Sequence, residues 1–283
     1  MGKKEISILI VIFSIFWGLY SNELNNTYST PIDGELEVYF VDVGQADAIL
    51  IKNDNESMLI DAGNNEDGEL LVNYFKSLNI NSFKYLVGTH PHEDHIGGLD
   101  DIINNFSIDN IYLPDAITTT KTFTEVLDAI ENKNMMFEVP KIGEKIILGN
   151  AVIEIIYTGT DTSDLNNTSI VLRLDYGETS FLFTGDATDK TEKLILNNNI
   201  DVDILKVGHH GSKYSTTDSF LTRTSPKYAV ISVGNPNSYG HPNNETLTKL
   251  SNQGVQVHRT DEEGTILITT DGNNINITNF LNI

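Results

Sequence analysis

The chain has 283 residues, 39% of them hydrophobic, with 40 acidic against 18 basic side chains. That length buries one sizeable core or two modest ones, and the composition is not that of a disordered chain. A formal charge of −22 excludes a general electrostatic grip on nucleic acid or anionic lipid, so a phosphate-bearing ligand would need a metal ion or a small basic patch. The absence of cysteine excludes disulfides, thiolate metal ligands and a cysteine nucleophile.

Lys3 and Lys4 precede the uncharged, mostly apolar run Ile6–Tyr20. A short basic stretch followed by such a run matches a secretory signal, and it falls short of the roughly 20 residues of a spanning helix. Leu19-Tyr20-Ser21 lacks a small-x-small cleavage pattern. Residues 1–21 therefore read as a signal peptide or as an uncleaved anchor through residues 6–20, and both place the remainder outside the cytoplasmic membrane. Residues 22–34 read as a polar linker, and 35–283 as one domain.

Within that domain short strands alternate with helices. Alternation and β-branched content predict strands at 36–43, 46–51 and 57–60, with a turn at Asn53-Asp54-Asn55. Leu70, Leu71, Tyr74, Phe75 and Leu78 have helical spacing over 69–78. A short strand at 85–88, a helix at 99–106, a strand at 111–113 and a helix at 122–131 follow. The second half repeats the alternation. Strands are expected at 151–157, 169–175 and 179–184, the last two joined by Tyr176-Gly177-Glu178. A helix is expected at 188–196 with Thr188 as its N-cap, and a strand at 204–207. A helix starting at 217–221, a strand at 228–233, a helix at 244–252 and strands at 255–258 and 265–269 complete the chain. Two β-rich halves with intervening helices suggest helices covering two packed sheets.

The segment Thr89–Gly98, THPHEDHIGG, places His90, His92, Asp94 and His95 directly after an apolar strand. Imidazole suits zinc, iron and manganese, and carboxylate suits harder ions. On one strand-to-helix turn these groups reach a single small volume, and the glycines permit a tight bend. Other polar groups emerge from strand ends: Asp61 in LIDAG, Asp186 in FTGDA, His209 and His210 in VGHHGS, and His241 in YGHP. Such ends are where a rigid scaffold carries functional side chains. His258, in VQVHRT, reads as structural.

LIDAG, THPHEDHIGG, FTGDA and a later histidine, in this order, resemble the metallo-β-lactamase superfamily over residues 36–283. NNTSIVLRLDYGETSFLFTGDA, LKVGHHGS and YGHP make the chain most similar to the extracytoplasmic hydrolase domain of ComEC-type DNA-uptake competence proteins. The resemblance implies an α/β (α+β) fold, a four-layer αββα sandwich forming a single domain with the metal site at one edge. It implies that His90 and His92 hold a first metal, that Asp94 and His95 hold a second, and that Asp186 bridges them. Asp61 would orient these ligands. His209 is the preferred later ligand, with His210 as its alternative, and His241 is a further ligand or assists the leaving oxygen.

One departure matters. Most hydrolytic members supply a third histidine to the first metal between the motif and the bridging aspartate, and this chain has none between His95 and Asp186. Asp164 and Asn167 are the nearby oxygen donors. A harder first site suits Mn²⁺ as well as Zn²⁺ and argues against a true β-lactamase. Two divalent ions could hold the attacking and leaving oxygens of a phosphodiester, with Asp94 taking the proton of the attacking water. Lys206, Ser212 and Lys213 flank the HHGS turn and are candidates to touch a phosphate. The expectation is an exported phosphodiesterase or nuclease acting on DNA or a small phosphodiester. The alternatives are a hydrolase of a small ester, lactone or cyclic nucleotide, and a metal-binding DNA-uptake accessory without turnover. The low lysine and arginine count disfavours tight binding of duplex DNA.

Overall fold

The computed structural model describes residues 34–280. The segment expected to be a signal or anchor, and the linker up to Asp33, lie outside the described residues. Within 34–280 no helix is long and apolar enough to cross a membrane.

Alternating side chains sort the strands into layers. In β1 (Leu36–Phe40) and β2 (Ala48–Asn53), Tyr39, Ala48 and Leu50 join a cluster with helical side chains. Phe40 instead reaches the opposite sheet, where its ring centroid is 6.2 Å from that of Phe183. β3 (Glu56–Ala62) sends Leu59 to the helical cluster. Strand period 2 is thus the reason one apolar run serves two cores.

β4 (Ser82–Val87), β5 (Ser107–Tyr112), β13 (Thr265–Thr270) and β14 (Ile275–Phe280) complete the first sheet, of order β14-β13-β1-β2-β3-β4-β5. The second sheet comprises β6 (Lys145–Leu148), β7 (Ala151–Tyr157), β8 (Val171–Tyr176), β9 (Thr179–Phe183), β10 (Ile204–Lys206), β11 (Tyr228–Ile231) and β12 (Gln256–Arg259). Its order is β12-β11-β10-β9-β8-β7-β6. Each sheet has an antiparallel part and a parallel part. The parallel strands are β3-β4-β5 in the first and β9-β10-β11-β12 in the second.

Helices α1 (Gly68–Ser77), α2 (Glu93–Ile96), α3 (Leu99–Asn105) and α4 (Lys121–Asn132) belong to the first half. α4 starts where the Thr120 hydroxyl accepts from the Phe123 amide, and it buries Phe123, Val126, Ala129 and Ile130. α1 buries Leu71, Val72 and Phe75, whereas Leu70 stays exposed. α5 (Asp189–Ile195), α6 (Asp218–Thr224) and α7 (Asn244–Asn252) come from the second half, and their Ile195, Phe220, Leu221 and Leu250 cluster with Leu182, Leu205, Ala229 and Ile231 of the second sheet. α8 (Thr260–Glu263) is a single turn between β12 and β13. The architecture is the αββα sandwich expected from the resemblance.

The expected elements recur with shifted ends, and β6 and β14 are additional. Both are edge strands. β14 reads INITNF, and asparagine is depleted in strands, so its pattern is weak outside the sheet that pairs it.

Candidate metal centre

The functional side chains sit past the C-terminal ends of the parallel strands of both sheets, the edge where open α/β sheets carry their ligands. After β4 the chain turns through Thr89–His92 into α2. This turn packs against the loop after β3, and a Cβ on Gly97 would stand 2.2 Å from the carbonyl carbon of Asn64. No larger residue fits there, which is the physical content of the Gly-Gly pair in the motif.

His90 is buried, and its Nε2 lies 2.9 Å from His92 Nδ1. His95 is buried beside it, with Nε2 3.3 Å from Asp186 Oδ1 and 4.0 Å from Asp94 Oδ2. Asp186 comes from the loop after β9, and Ser169 Oγ accepts its backbone N–H. The loop after β10 holds His209 and His210, both with left-handed backbone at φ 52° and 51°. His210 Nε2 is 3.3 Å from Asp94 Oδ2 and 3.7 Å from Asp186 Oδ1, and His209 Nε2 is 3.7 Å from Asp186 Oδ2. One ligand atom each from Asp94, His95, Asp186 and His210 falls within 4.8 Å of the others.

These groups open onto a cleft of about 320 Å³ lined by His92, Asp94, Asn166, Asp186, His209, His210 and His241. His241 is half-buried, and Asn237 fixes its loop by accepting its N–H and donating to its carbonyl. Tyr239, highly exposed, stacks on the His241 ring at 5.8 Å between centroids.

Electrostatics divides the histidines. Burial works against charge on His95 and His210, yet the surrounding carboxylates, Asp186 foremost, raise both above the usual imidazole value. Burial likewise opposes ionisation of Asp94 and Asp186, but His95 and His210 outweigh it and hold both carboxyls low. His90 and His209 are lowered by burial, and burial with the neighbouring His209 and His210 pushes His241 down to about 4. His95 Nε2, Asp186 Oδ1 and His210 Nε2 are buried without a hydrogen-bond partner of acceptable geometry. Buried polar atoms are almost always satisfied, so converging orphan donors of imidazole and carboxylate type fit a divalent cation.

The ligands are braced from behind. Asp61, itself at φ 58°, accepts the Thr89 N–H on Oδ1 and the Thr89 hydroxyl on Oδ2, and the same Oδ2 lies 2.7 Å from His95 Nδ1. His210 Nδ1 lies 2.9 Å from the Ser232 carbonyl. This is the carboxylate– or carbonyl–imidazole support that fixes tautomer and ring direction in metal sites. Asp47, unassigned from the sequence, lies under both rings at 3.7 Å from His95 Nδ1 and 3.6 Å from His210 Nδ1. Lys206 Nζ is 2.6 Å from Asp47 and offsets its charge in the interior. An aspartate framed by apolar residues between two strands, in VGQADAIL, was the available signal.

Several expectations need correction. Lys206 is buried against Asp47 and the Gly185 and Val207 carbonyls, so it does not reach a phosphate. Ser212 is also buried, its hydroxyl accepting the Tyr214 N–H. Lys213 alone of the three is exposed, over the Tyr214 ring. Asn167 and Asp164 are committed elsewhere: Asn167 Oδ1 accepts from the Thr188 and Thr191 hydroxyls, and its amide donates to Asp164. Their neighbour Asn166 does line the cleft, and its buried Oδ1 has no hydrogen-bond partner. His258, on β12, pairs with Glu263 of α8 at 3.0 Å and is not among the cleft residues.

Sheets of this order, carrying this motif turn and an aspartate between two ligand groups, define a class. The family model of the metallo-β-lactamase superfamily matches residues 41–235, and the chain belongs to that superfamily. Its members are generally metal-dependent hydrolases. Among curated relatives, the chain is 30% identical over 256 residues to ComE operon protein 3 of Bacillus subtilis, covering 83% of this chain and 33% of that protein. It is 27% identical to competence protein ComA of Neisseria gonorrhoeae, covering 83% and 32%. The chain thus spans about a third of the length of these relatives. The fold is shared with the metallo-β-lactamase fold protein YhfI of Bacillus subtilis, at 14% identity and TM-score 0.55 over 83% of this chain and 100% of that one. It is also shared with CmlA, a diiron β-hydroxylase from Streptomyces venezuelae, at 14% identity and TM-score 0.56 over 85% and 55%.

Proposed function

We propose that the chain is an exported, metal-dependent phosphodiesterase that acts on DNA. The observation that carries this reading is the Asp94–His95–Asp186–His210 group, in which His95, Asp186 and His210 are buried and carry unpartnered ligand atoms, beside an open cleft that Asp94, Asp186 and His210 line. The similarity to competence proteins supports nucleic acid as the substrate class, and the apolar run at residues 6–20 supports export or anchoring at the outer face of the membrane. Fold alone does not decide the chemistry, since CmlA is a hydroxylase.

Asp94, His95, Asp186 and His210 would hold one divalent ion, Zn²⁺ or Mn²⁺, and His90 and His92 with Asp186 would hold a second. Such ions, when bound, lower the pKa of water to about 7 and stabilise the charge developing on phosphoryl oxygens. Asp94, ionised at the mouth of the cleft, accepts the proton of the attacking water. Asp61 and the Ser232 carbonyl keep the His95 and His210 rings directed at the Asp186 carboxylate. His241, neutral at pH 7, offers a hydrogen bond to the leaving oxygen without adding charge. The low lysine and arginine count favours a single strand, a chain end or a short oligonucleotide over a duplex.

The test uses the full-length chain, stripped with chelator and reloaded with Mn²⁺ or Zn²⁺. Single-stranded DNA, duplex DNA and bis-p-nitrophenyl phosphate are the substrates, and Asp94→Asn is the control. Metal-dependent DNA cleavage that disappears in the control is expected. Cleavage of the small diester alone would move the substrate class to small phosphodiesters. Metal binding without turnover on any of the three would overturn the reading.

A further inference from the structure

Asp186 turns its two oxygens to different partners. Oδ1 faces His95 and His210, at 3.3 and 3.7 Å. Oδ2 faces His209 and His90, at 3.7 and 4.0 Å. No histidine lies between His95 and Asp186 in the sequence, so the motif alone leaves His90 and His92 with Asp186 as their one further ligand. The Asn167 and Asp164 side chains are tied up by hydrogen bonds. Of the two later imidazoles left over, His209 comes within 4.0 Å of Asp186, on the Oδ2 side, and His241 does not.

The backbone gives a reason why two adjacent residues reach both ends of one carboxylate. A strand would send successive side chains to opposite faces. Here His209 (φ 52°, ψ 48°) and His210 (φ 51°, ψ 27°) are both left-handed, and their ring centroids lie 6.3 Å apart at 69°. For non-glycine residues this conformation is costly and persists where the surroundings over-determine it, as at ligand clamps.

Resting on the metal-dependent reading above, we propose that the two histidines are divided between two cations. His210 completes the position of Asp94, His95 and Asp186 Oδ1. His209 completes the position of His90, His92 and Asp186 Oδ2, as the third imidazole that the stretch between His95 and Asp186 does not supply.

The two positions are unequal. The His210 group is compact, and the Nδ1 atoms of its histidines face Asp61 and the Ser232 carbonyl. The His209 ring is 24% exposed, and its Nδ1 has no hydrogen-bond partner. Unbraced ligands bind metal more weakly. The His209 position therefore fills second.

The experiment titrates the metal-free full-length chain with Mn²⁺ or Co²⁺. It reads metal content after desalting and, for Co²⁺, the ligand-field absorption. The parent is expected to take up two equivalents in a tight step and a weaker one. His209→Gly, which retains the left-handed backbone, is expected to lose the weaker step and keep the tight one, and His210→Gly to lose the tight step. His209→Asn, a second residue tolerant of that backbone, guards against a folding defect, and the metal-free melting temperature checks each variant. Two unchanged steps in both His209 variants would overturn the division. Loss of the weaker step in Asn166→Ala but not in the His209 variants would overturn it in favour of that oxygen donor. A parent that binds one equivalent overturns the division alone, whereas a parent that binds none overturns the metal-dependent reading itself.

Discussion

The two sheets contribute to the centre in different ways. The first delivers four candidate ligands within six residues of one turn after β4, with Asp61 behind them at the end of β3. The second delivers Asp186, then the His209-His210 pair, then His241, from the loops after β9, β10 and β11. The first contribution is local and survives as a motif. The second depends on parallel pairing of β9, β10 and β11, which brings residues 186, 209 and 241 to one edge. A centre built this way fails most completely where the two contributions meet.

Asp186 is that meeting point, so Asp186→Asn is expected to have the largest effect. It removes the carboxylate that faces both histidine groups and should abolish metal-dependent turnover, a loss of at least about a thousandfold for several kcal/mol of lost stabilisation. Steady-state kinetics with metal analysis checks it. A variant with parent metal content and parent rate would break the idea that the sheets share one carboxylate.

The next test concerns the ion pair beneath the centre, where Asp47 of the first half meets Lys206 of β10. Lys206→Met leaves a buried carboxylate uncompensated and is expected to cost about 3–5 kcal/mol, with much of this recovered by adding Asp47→Leu. Urea denaturation of the metal-free chain measures both. Equal stability of the parent and the single variant would show that Lys206 does not offset Asp47.

Asp61→Asn sharpens the comparison from the first sheet alone. It retains the shape but withdraws the charge facing His95 Nδ1, and metal affinity should fall about 10–100-fold with the fold intact. Isothermal titration reads the affinity. An unchanged affinity would mean that the ring is held by packing alone.

The pH dependence of the metal-free chain tests both sheets at once. Asp94 and Asp186 are lowered in the folded state, so their contribution is present above about 4 and is lost as pH falls through their folded values. His90 and His209, lowered by burial, also lose their contribution in acid, below about 6.5. His95 and His210 are raised, so theirs is complete below about 6.5 and disappears as pH rises through the folded values. Melting temperature should therefore decline on the acid side and again on the alkaline side, and metal should reverse the alkaline decline. At pH 7 metal binding should release protons from His95 and His210, detectable as a dependence of the titration enthalpy on buffer. A binding heat independent of buffer would contradict the raised values.

The smallest effect belongs to the surface. Lys213 is exposed over Tyr214, 5.0 Å from its centroid, and Lys213→Ala should change stability by under about 0.5 kcal/mol and leave metal content unchanged. A lost metal equivalent would show that the HHGS turn depends on that side chain.

Much of this was legible in the sequence, for reasons that differ by residue. Apolar, β-rich runs marked β1, β7, β8 and β9, and helical spacing marked α1 and α4, because burying one face of a helix imposes a period that needs no knowledge of the partner. The motif turn was legible because its ligands are near neighbours. Asp47, Asn166 and the burial of Lys206 were not, since each takes its meaning from a residue distant in the chain. Lys206 reads as a free cation until β10 buries it opposite Asp47. Asn167 reads as a donor until Thr188 and Thr191 claim its oxygen.

The sequence by itself determined the layered class, the motif turn and the superfamily to which the chain belongs, since these rest on periodicity and on residues close along the chain. Only the tertiary structure decided how His209 and His210 are disposed about Asp186, which asparagine lines the cleft and which lysine is buried. Those depend on where loops from two sheets meet, and distances between them are set by strand pairing and packing, not by separation in the chain.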